Sequence, residues 1–270
     1  AMPTEEEQFE AYKKVAAAMN GKPVIIRTLD IGGDKEIPYM GLEKDENPFL
    51  GYRAIRLCLD RKEDIYKPQL RALLRASAFG NIRIMIPLVT CIDEFREAKA
   101  LIEEIKKELD EKGIAYKKDI QVGIMVETAA ASLIADIFAK EADFFSIGTN
   151  DLTQYTMSVD RGNKKISYLY STFNPAVLRS IRHIIACGRE TGIMVGMCGE
   201  AASDPMMVPL LLAFGLNEFS MSASAVLRTR KLVTGFSIKE LQAVAEKAMS
   251  FATAAEVEAY MKEFMEKMTD

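Results

Sequence analysis

The chain has 270 residues, 49% of them hydrophobic and 27% charged, enough for one large α/β domain or two small ones. A formal net charge of -4 and a pI of about 5.4 argue against a nucleic-acid or anionic-membrane partner recognised through overall charge, so any anion site has to be a pocket. Four widely spaced cysteines, Cys58, Cys91, Cys187 and Cys198, form no CxxC pair and sit in apolar surroundings, which excludes a paired-cysteine zinc site and a disulfide framework and implies a reducing compartment.

The N-terminal stretch "AMPTEEEQFEAYKK" is polar from its start and carries no signal-peptide pattern, and the longest apolar run, "MMVPLLLAFGL", is too short to span a bilayer. The expectation is a cytoplasmic protein. In chain order, Thr4 and Glu7 form a capping box that opens a first helix. Strands follow at "VIIRTLD" from Val24 and "IRIMIP" from Ile82, then a helix capped by Asp93 that runs through "EFREAKALIEEIKKELDEKG" to Gly113. Two more strands, "IQVGIMVE" from Ile120 and "DFFSIG" from Asp143, precede a helix opened by Asn174 and Pro175 and closed by Gly192. The strand "IMVGMCGE" from Ile193, a helix opened by Asp204 and Pro205 and closed by Gly215, and the strand "EFSMS" from Glu218 complete the alternation. Two amphipathic helices, "SIKELQAVAEKAM" and "TAAEVEAYMKEFMEKM", end the chain.

The six apolar runs are nearly continuous rather than alternating, which predicts parallel strands buried on both faces. With no linker, low-complexity segment or fixed-period repeat, the reading is one continuous domain over residues 1–270. Parallel strands and helices close as an eight-stranded barrel or stay open as a doubly wound sheet; if this is a barrel, its first two strands lie upstream of this chain.

In both architectures the ligand lies beyond the carboxyl ends of the strands, and polar residues converge there. Glu127 and Asp151, at the ends of consecutive strands, can share one hard cation, with magnesium the natural candidate; the plainer alternative is that each acid caps a following helix. Arg27 interrupts an apolar strand and therefore needs an acid or an anionic ligand; a salt bridge to Asp30 or Asp34 is the plainer alternative. Arginine at positions 27, 53 and 161 suits bidentate grip on phosphate or carboxylate. Cys198, between glycines at a strand end, is either core filler or a thiol serving as acid, base or nucleophile. His183, mid-helix, reads as structural, and the "DIGGDK" loop is a weak phosphate-cradle signal.

"DFFSIGTNDLTQYTMSVDRGN" resembles the signature of the phosphoenolpyruvate-utilising enzymes. "VIIRTLDIGGDK", "ENPFLGYRAIR", "LRASAFGNIRIMIPLV", "GIMVETAAA" and "GMCGEAASD" fall in the order of enzyme I of the bacterial sugar phosphotransferase system. The resemblance implies a (β/α)₈ TIM barrel that binds phosphoenolpyruvate and Mg2+ and forms a homodimer. It implies that Arg27, Arg53 and Arg161 hold the substrate's phosphate and carboxylate with Asn150 beside them, that Glu127 and Asp151 bind magnesium, and that Cys198 protonates the enolate carbon. The phosphoryl-accepting histidine and the contact with the histidine-containing phosphocarrier protein belong to N-terminal domains that this sequence does not match. A "GLxRTEF"-like motif of the family's first strands is likewise unmatched. Two rival readings are the homologous domain of pyruvate phosphate dikinase or phosphoenolpyruvate synthase, and a ligand-gated dimerisation module without turnover.

Overall fold

The structure is a computed structural model that describes residues 2–32 and 37–269. The chain forms two compact units, residues 1–124 and 125–270, the division falling inside the third strand.

In the first unit, α1 (Glu5–Ala18) opens on the expected capping box: the Thr4 hydroxyl accepts from the Glu7 N–H at 3.2 Å, and the Glu7 carboxylate accepts from the Thr4 N–H at 2.8 Å. The unit continues through β1 (Val24–Arg27), α2 (Ile55–Asp60), α3 (Lys67–Ser77), β2 (Ile82–Ile86), α4 (Ile92–Glu111) and the start of β3 (Gln121–Val126). β1 runs parallel to β2 with Val24 opposite Ile82, and β2 parallel to β3 with Ile84 opposite Val122. α3 buries Leu70, Leu73 and Leu74, while its Arg71 and Arg75 bind Glu5 and Glu6 of α1 and Glu108 of α4 at 2.7–3.0 Å.

Three expectations change in this unit. β1 is half-buried rather than buried on both faces, and its Arg27 side chain is 43% exposed, so the apolar run does not enclose the cation. Within the described residues of the unit β1 pairs with β2 alone, and a strand with one neighbour keeps contact with water. Asp93 lies inside the first turn of α4, whose N-cap is Cys91; Glu94 closes the end by accepting from the Thr90 and Cys91 N–H groups at 2.7 and 3.2 Å. Cys91 is consequently exposed, unlike buried Cys58 and Cys187. Between α2 and α3 the chain widens into a π-helical turn, Lys62–Tyr66, that buries Ile65 and Tyr66.

The second unit holds β4 (Phe144–Ile147), β5 (Met194–Met197) and β6 (Glu218–Phe219), parallel in chain order with Ser146 opposite Gly196 and Gly196 opposite Glu218. Its helices are α5 (Ala129–Leu133), α6 (Ala135–Phe138), α7 (Thr149–Met157), α8 (Pro175–Thr191), α9 (Val208–Phe214), α10 (Ala223–Gly235), α11 (Ile238–Met249) and α12 (Ala254–Thr269). β4 is buried at every residue, as its unbroken apolar sequence predicts.

α8 has the expected ends. Asn174 accepts from the Ala176 N–H at 2.9 Å, Pro175 takes the first helical position, and Gly192 closes the helix in the left-handed conformation. α9 begins later than expected, because Asp204 first closes a tight turn, its side chain accepting from the Met206 N–H and its carbonyl from the Val208 N–H. His183 is exposed on α8, with a ring nitrogen 3.6 Å from Cys187 Sγ.

The chain is thus mixed α/β, with six described strands, parallel where they pair within each unit and interleaved with helices, in agreement with part of a (β/α) barrel. No helix among the described residues is long and apolar enough to cross a membrane.

Candidate functional site

Strands of a parallel sheet end where the chain turns back toward a helix, and in the second unit three such ends bring polar residues together. Glu127 follows the last residue of β3, Gly148 to Asp151 follow β4, and Cys198 to Glu200 follow β5. The ends are laced together by main-chain bonds: the Gly148 N–H donates to the Val126 carbonyl at 3.2 Å, and the Cys198 N–H to the Ile147 carbonyl at 3.1 Å.

Glu127 and Asp151 are 2% and 7% exposed, and their carboxylate oxygens lie within 4.8 Å of each other. Two buried carboxylates this close repel unless cationic charge is near. Arg161 supplies some: it donates to Asp151 Oδ1 at 2.9 Å, and its own N–H is held by the buried Gln154 Oε1 at 3.1 Å. The Arg161 side chain remains 40% exposed, so its outer face stays open to solvent.

The approach of these groups depends on two glycines. A Cβ at Gly148 would fall 2.6 Å from Glu127 Oε2, and one at Gly199 would fall 2.6 Å from the Thr149 backbone nitrogen. Thr149, at the first position of α7, keeps a buried hydroxyl that has no hydrogen-bond partner among the described residues. Asn150 accepts from the Glu200 N–H through Oδ1 at 3.3 Å. Since a main-chain N–H can only face an acceptor, the Asn150 –NH2 points the other way and offers two donors. Cys198 is half-buried, its Sγ 3.7 Å from the Ile147 carbonyl oxygen.

The first unit gathers its own cations. Asp30, just beyond β1, accepts from Arg27 at 2.8 Å and from Arg53 at 2.7 Å, so the salt bridge weighed for Arg27 is present. The other partner considered, Asp34, and the Gly33 and Lys35 of the "DIGGDK" loop lie outside the described residues. Arg53 is 7% exposed and lies 5.8 Å from the Phe49 ring centroid. Its direction is set by a bridge to Gly32 and by fully buried Ala54, held at φ 51° while its N–H donates to the Ile31 carbonyl. Burial pushes the Cys58 thiol up to about 12, with Asp30 adding to the rise, so Cys58 is a packing thiol.

The structure therefore brings Glu127, Asn150, Asp151, Arg161 and Cys198 onto neighbouring strand ends of the second unit, and Arg27 and Arg53 onto one carboxylate of the first. Sequence reasoning missed Tyr170 as part of the second cluster. Tyr170 donates its hydroxyl to the Asn150 carbonyl at 3.1 Å from a loop with no chemical signature of its own.

The profile of the PEP-utilising enzyme, PEP-binding domain, matches residues 1–238. Phosphoenolpyruvate-protein phosphotransferase of Staphylococcus carnosus (strain TM300) is 56% identical over 263 residues, covering 97% of this chain and 46% of that protein. The proteins of the same name from Geobacillus stearothermophilus and Bacillus subtilis (strain 168) are each 55% identical, over 97% of this chain and 45% and 46% of their own lengths. The chain spans about half the length of these curated relatives. With the profile covering most of the sequence and identity above one half, this chain belongs to the PEP-utilising enzymes, as a bearer of their PEP-binding domain.

Proposed function

We propose that the chain binds phosphoenolpyruvate and Mg2+ and supports transfer of the phosphoryl group to a histidine on a separate N-terminal domain, with release of pyruvate, as the first step of a sugar phosphotransferase system. The observation that carries this reading is the Glu127 and Asp151 pair, two buried hard-oxygen donors within 4.8 Å, flanked by Arg161 and by the donors of Asn150. That donor set fits magnesium, which takes carboxylates and keeps other positions for water and substrate oxygens. When bound, Mg2+ supplies Lewis-acid neutralisation of substrate oxygens.

The chain's own groups account for the remaining steps. Asn150 Nδ2 and the outer face of Arg161 donate to phosphate oxygens, and Arg27 and Arg53 serve substrate anionic groups in the assignment made from the resemblance. As the imidazole nitrogen forms its bond to phosphorus, the bond from phosphorus to the bridging oxygen breaks and its electron pair passes to the enolate. The Cys198 Sγ–H then gives its proton to the methylene carbon, yielding pyruvate and leaving a thiolate to be reprotonated by solvent. The single histidine, His183, lies on α8 beside Cys187, so in this reading the acceptor belongs to another domain. Cytoplasmic location, homodimerisation, and contact with the histidine-containing phosphocarrier protein through that domain belong to the same proposal.

Cys198→Ala tests the assignment. It retains phosphoenolpyruvate affinity within about threefold, while pyruvate formation with the phosphohistidine domain supplied falls by roughly 10²-fold or more. Equal loss of binding and turnover would return Cys198 to a packing role.

A further inference from the structure

Between α7 and α8 the chain crosses a loop whose far half is fastened residue by residue. Ser171 donates to Glu258 of α12 at 2.8 Å, Thr172 meets Thr153 of α7 at 3.5 Å, Phe173 is 6% exposed, and Asn174 caps α8. The residue before this fastened run is Tyr170, whose backbone is extended and whose phenol reaches the first turn of α7. Its hydroxyl donates to the main-chain carbonyl of Asn150, 20 residues earlier, at 3.1 Å. Burial pushes the phenol above its ordinary value, and the nearby Arg161 guanidinium opposes the rise, with Glu200 and Asp151 as further electrostatic neighbours. A protonated phenol can thus donate to Asn150 while its oxygen faces Arg161.

We propose that Tyr170 is a positioning residue for the anion site: its phenol fixes the Asn150 main chain while the Glu200 N–H fixes the Asn150 side-chain oxygen, so that the Asn150 –NH2 is presented to a substrate oxygen. The inference rests on the proposed function, in which Asn150 grips phosphate. Without the phenol, the first turn of α7 and the Asn150 Cα it carries lose a tether to the fastened loop and shift against the Glu200 N–H, so the amide meets the ligand less often, which lowers affinity without removing a direct contact. The ring itself fills its half-buried seat, so Tyr170→Phe removes the hydroxyl and keeps the packing.

The test is a double-mutant cycle read by calorimetric titration of phosphoenolpyruvate with Mg2+ into the full chain. Tyr170→Phe weakens binding by about three- to tenfold in the otherwise native chain, the scale of one hydrogen bond, and by less than about twofold in an Asn150→Ala background. A spectroscopic arm reads the Asn150 side-chain amide resonance, identified by its loss in Asn150→Ala, which shifts in Tyr170→Phe even without ligand. An unshifted resonance, or equal weakening in both backgrounds, overturns the role given to Tyr170 while leaving the proposed function standing. A native chain that binds no phosphoenolpyruvate overturns the proposed function, and with it the assignment of Tyr170 to an anion site.

Discussion

Arg27 and Arg161 offer a natural comparison. Each donates to a nearby carboxylate, Asp30 or Asp151, at 2.8 or 2.9 Å, and each keeps about two fifths of its side chain exposed, at 43% and 40%. Their neighbourhoods differ in sign. Asp30 also accepts from buried Arg53, whereas Asp151 faces the buried carboxylate of Glu127. The first unit sets two cations around one acid, and the second sets one cation and a second acid around another. The same exposed arginine therefore has different work to do. Arg27 is an additional cation on an acid that Arg53 already binds, while Arg161 offsets the repulsion between two carboxylates. The scaffolds differ too, since β1 is half-buried and β4 is wholly buried.

The largest expected effect is in the second unit. Gly199→Ala brings a Cβ to 2.6 Å from the Thr149 backbone nitrogen, which cannot rotate away as a side chain could. Urea unfolding should show a loss of roughly 2–3 kcal/mol, the upper part of the range for overpacking a buried contact. A change under about 0.5 kcal/mol would mean that the β4 and β5 ends are looser than described.

Next comes a contrast inside the first unit. Arg53→Ala should cost about 2 kcal/mol, less than the full cost of breaking a buried pair because Arg27 still reaches Asp30. Arg27→Ala should cost under about 1 kcal/mol as an exposed pair, while weakening phosphoenolpyruvate binding. Similar unfolding costs for the two variants would remove the distinction drawn between them.

The smallest effect concerns Glu218, on β6 opposite Gly196, where burial raises its carboxyl above the ordinary value. Because the folded state holds this proton more tightly than the unfolded chain, its contribution is fully present below the ordinary carboxylate value and is lost as pH rises through the raised one. Glu218→Gln should therefore melt higher than the native chain at neutral pH, with the difference disappearing near pH 4. An unchanged gap across that range would show that Glu218 is not the group responsible.

Much of this was legible in the sequence for reasons that can be named. β2 to β5 announce themselves because branched apolar runs buried on both faces have no polar alternation, and α8 because Asn174, Pro175 and Gly192 each satisfy a distinct need of a helix end. Glu127, Asn150, Asp151 and Cys198 stood out because polar residues directly after such runs have nowhere to be but the rim. The exposure of Arg27 was not legible, since an apolar strand reads alike whether it has one neighbour or two. Cys91 displaced Asp93 as a cap because Glu94 reaches back to two N–H groups, a choice fixed by geometry rather than residue type. Tyr170 was invisible because its role depends on a loop fastened by partners as distant as Glu258.

The most direct measurement is a calorimetric titration of phosphoenolpyruvate into this chain with and without Mg2+, alongside Asp151→Asn, after circular dichroism shows both proteins folded. The native chain should bind saturably only with Mg2+ present, and the variant should not bind. Binding of equal strength without Mg2+, or undiminished in Asp151→Asn, would contradict the assignment of the Glu127 and Asp151 pair as the seat of the metal.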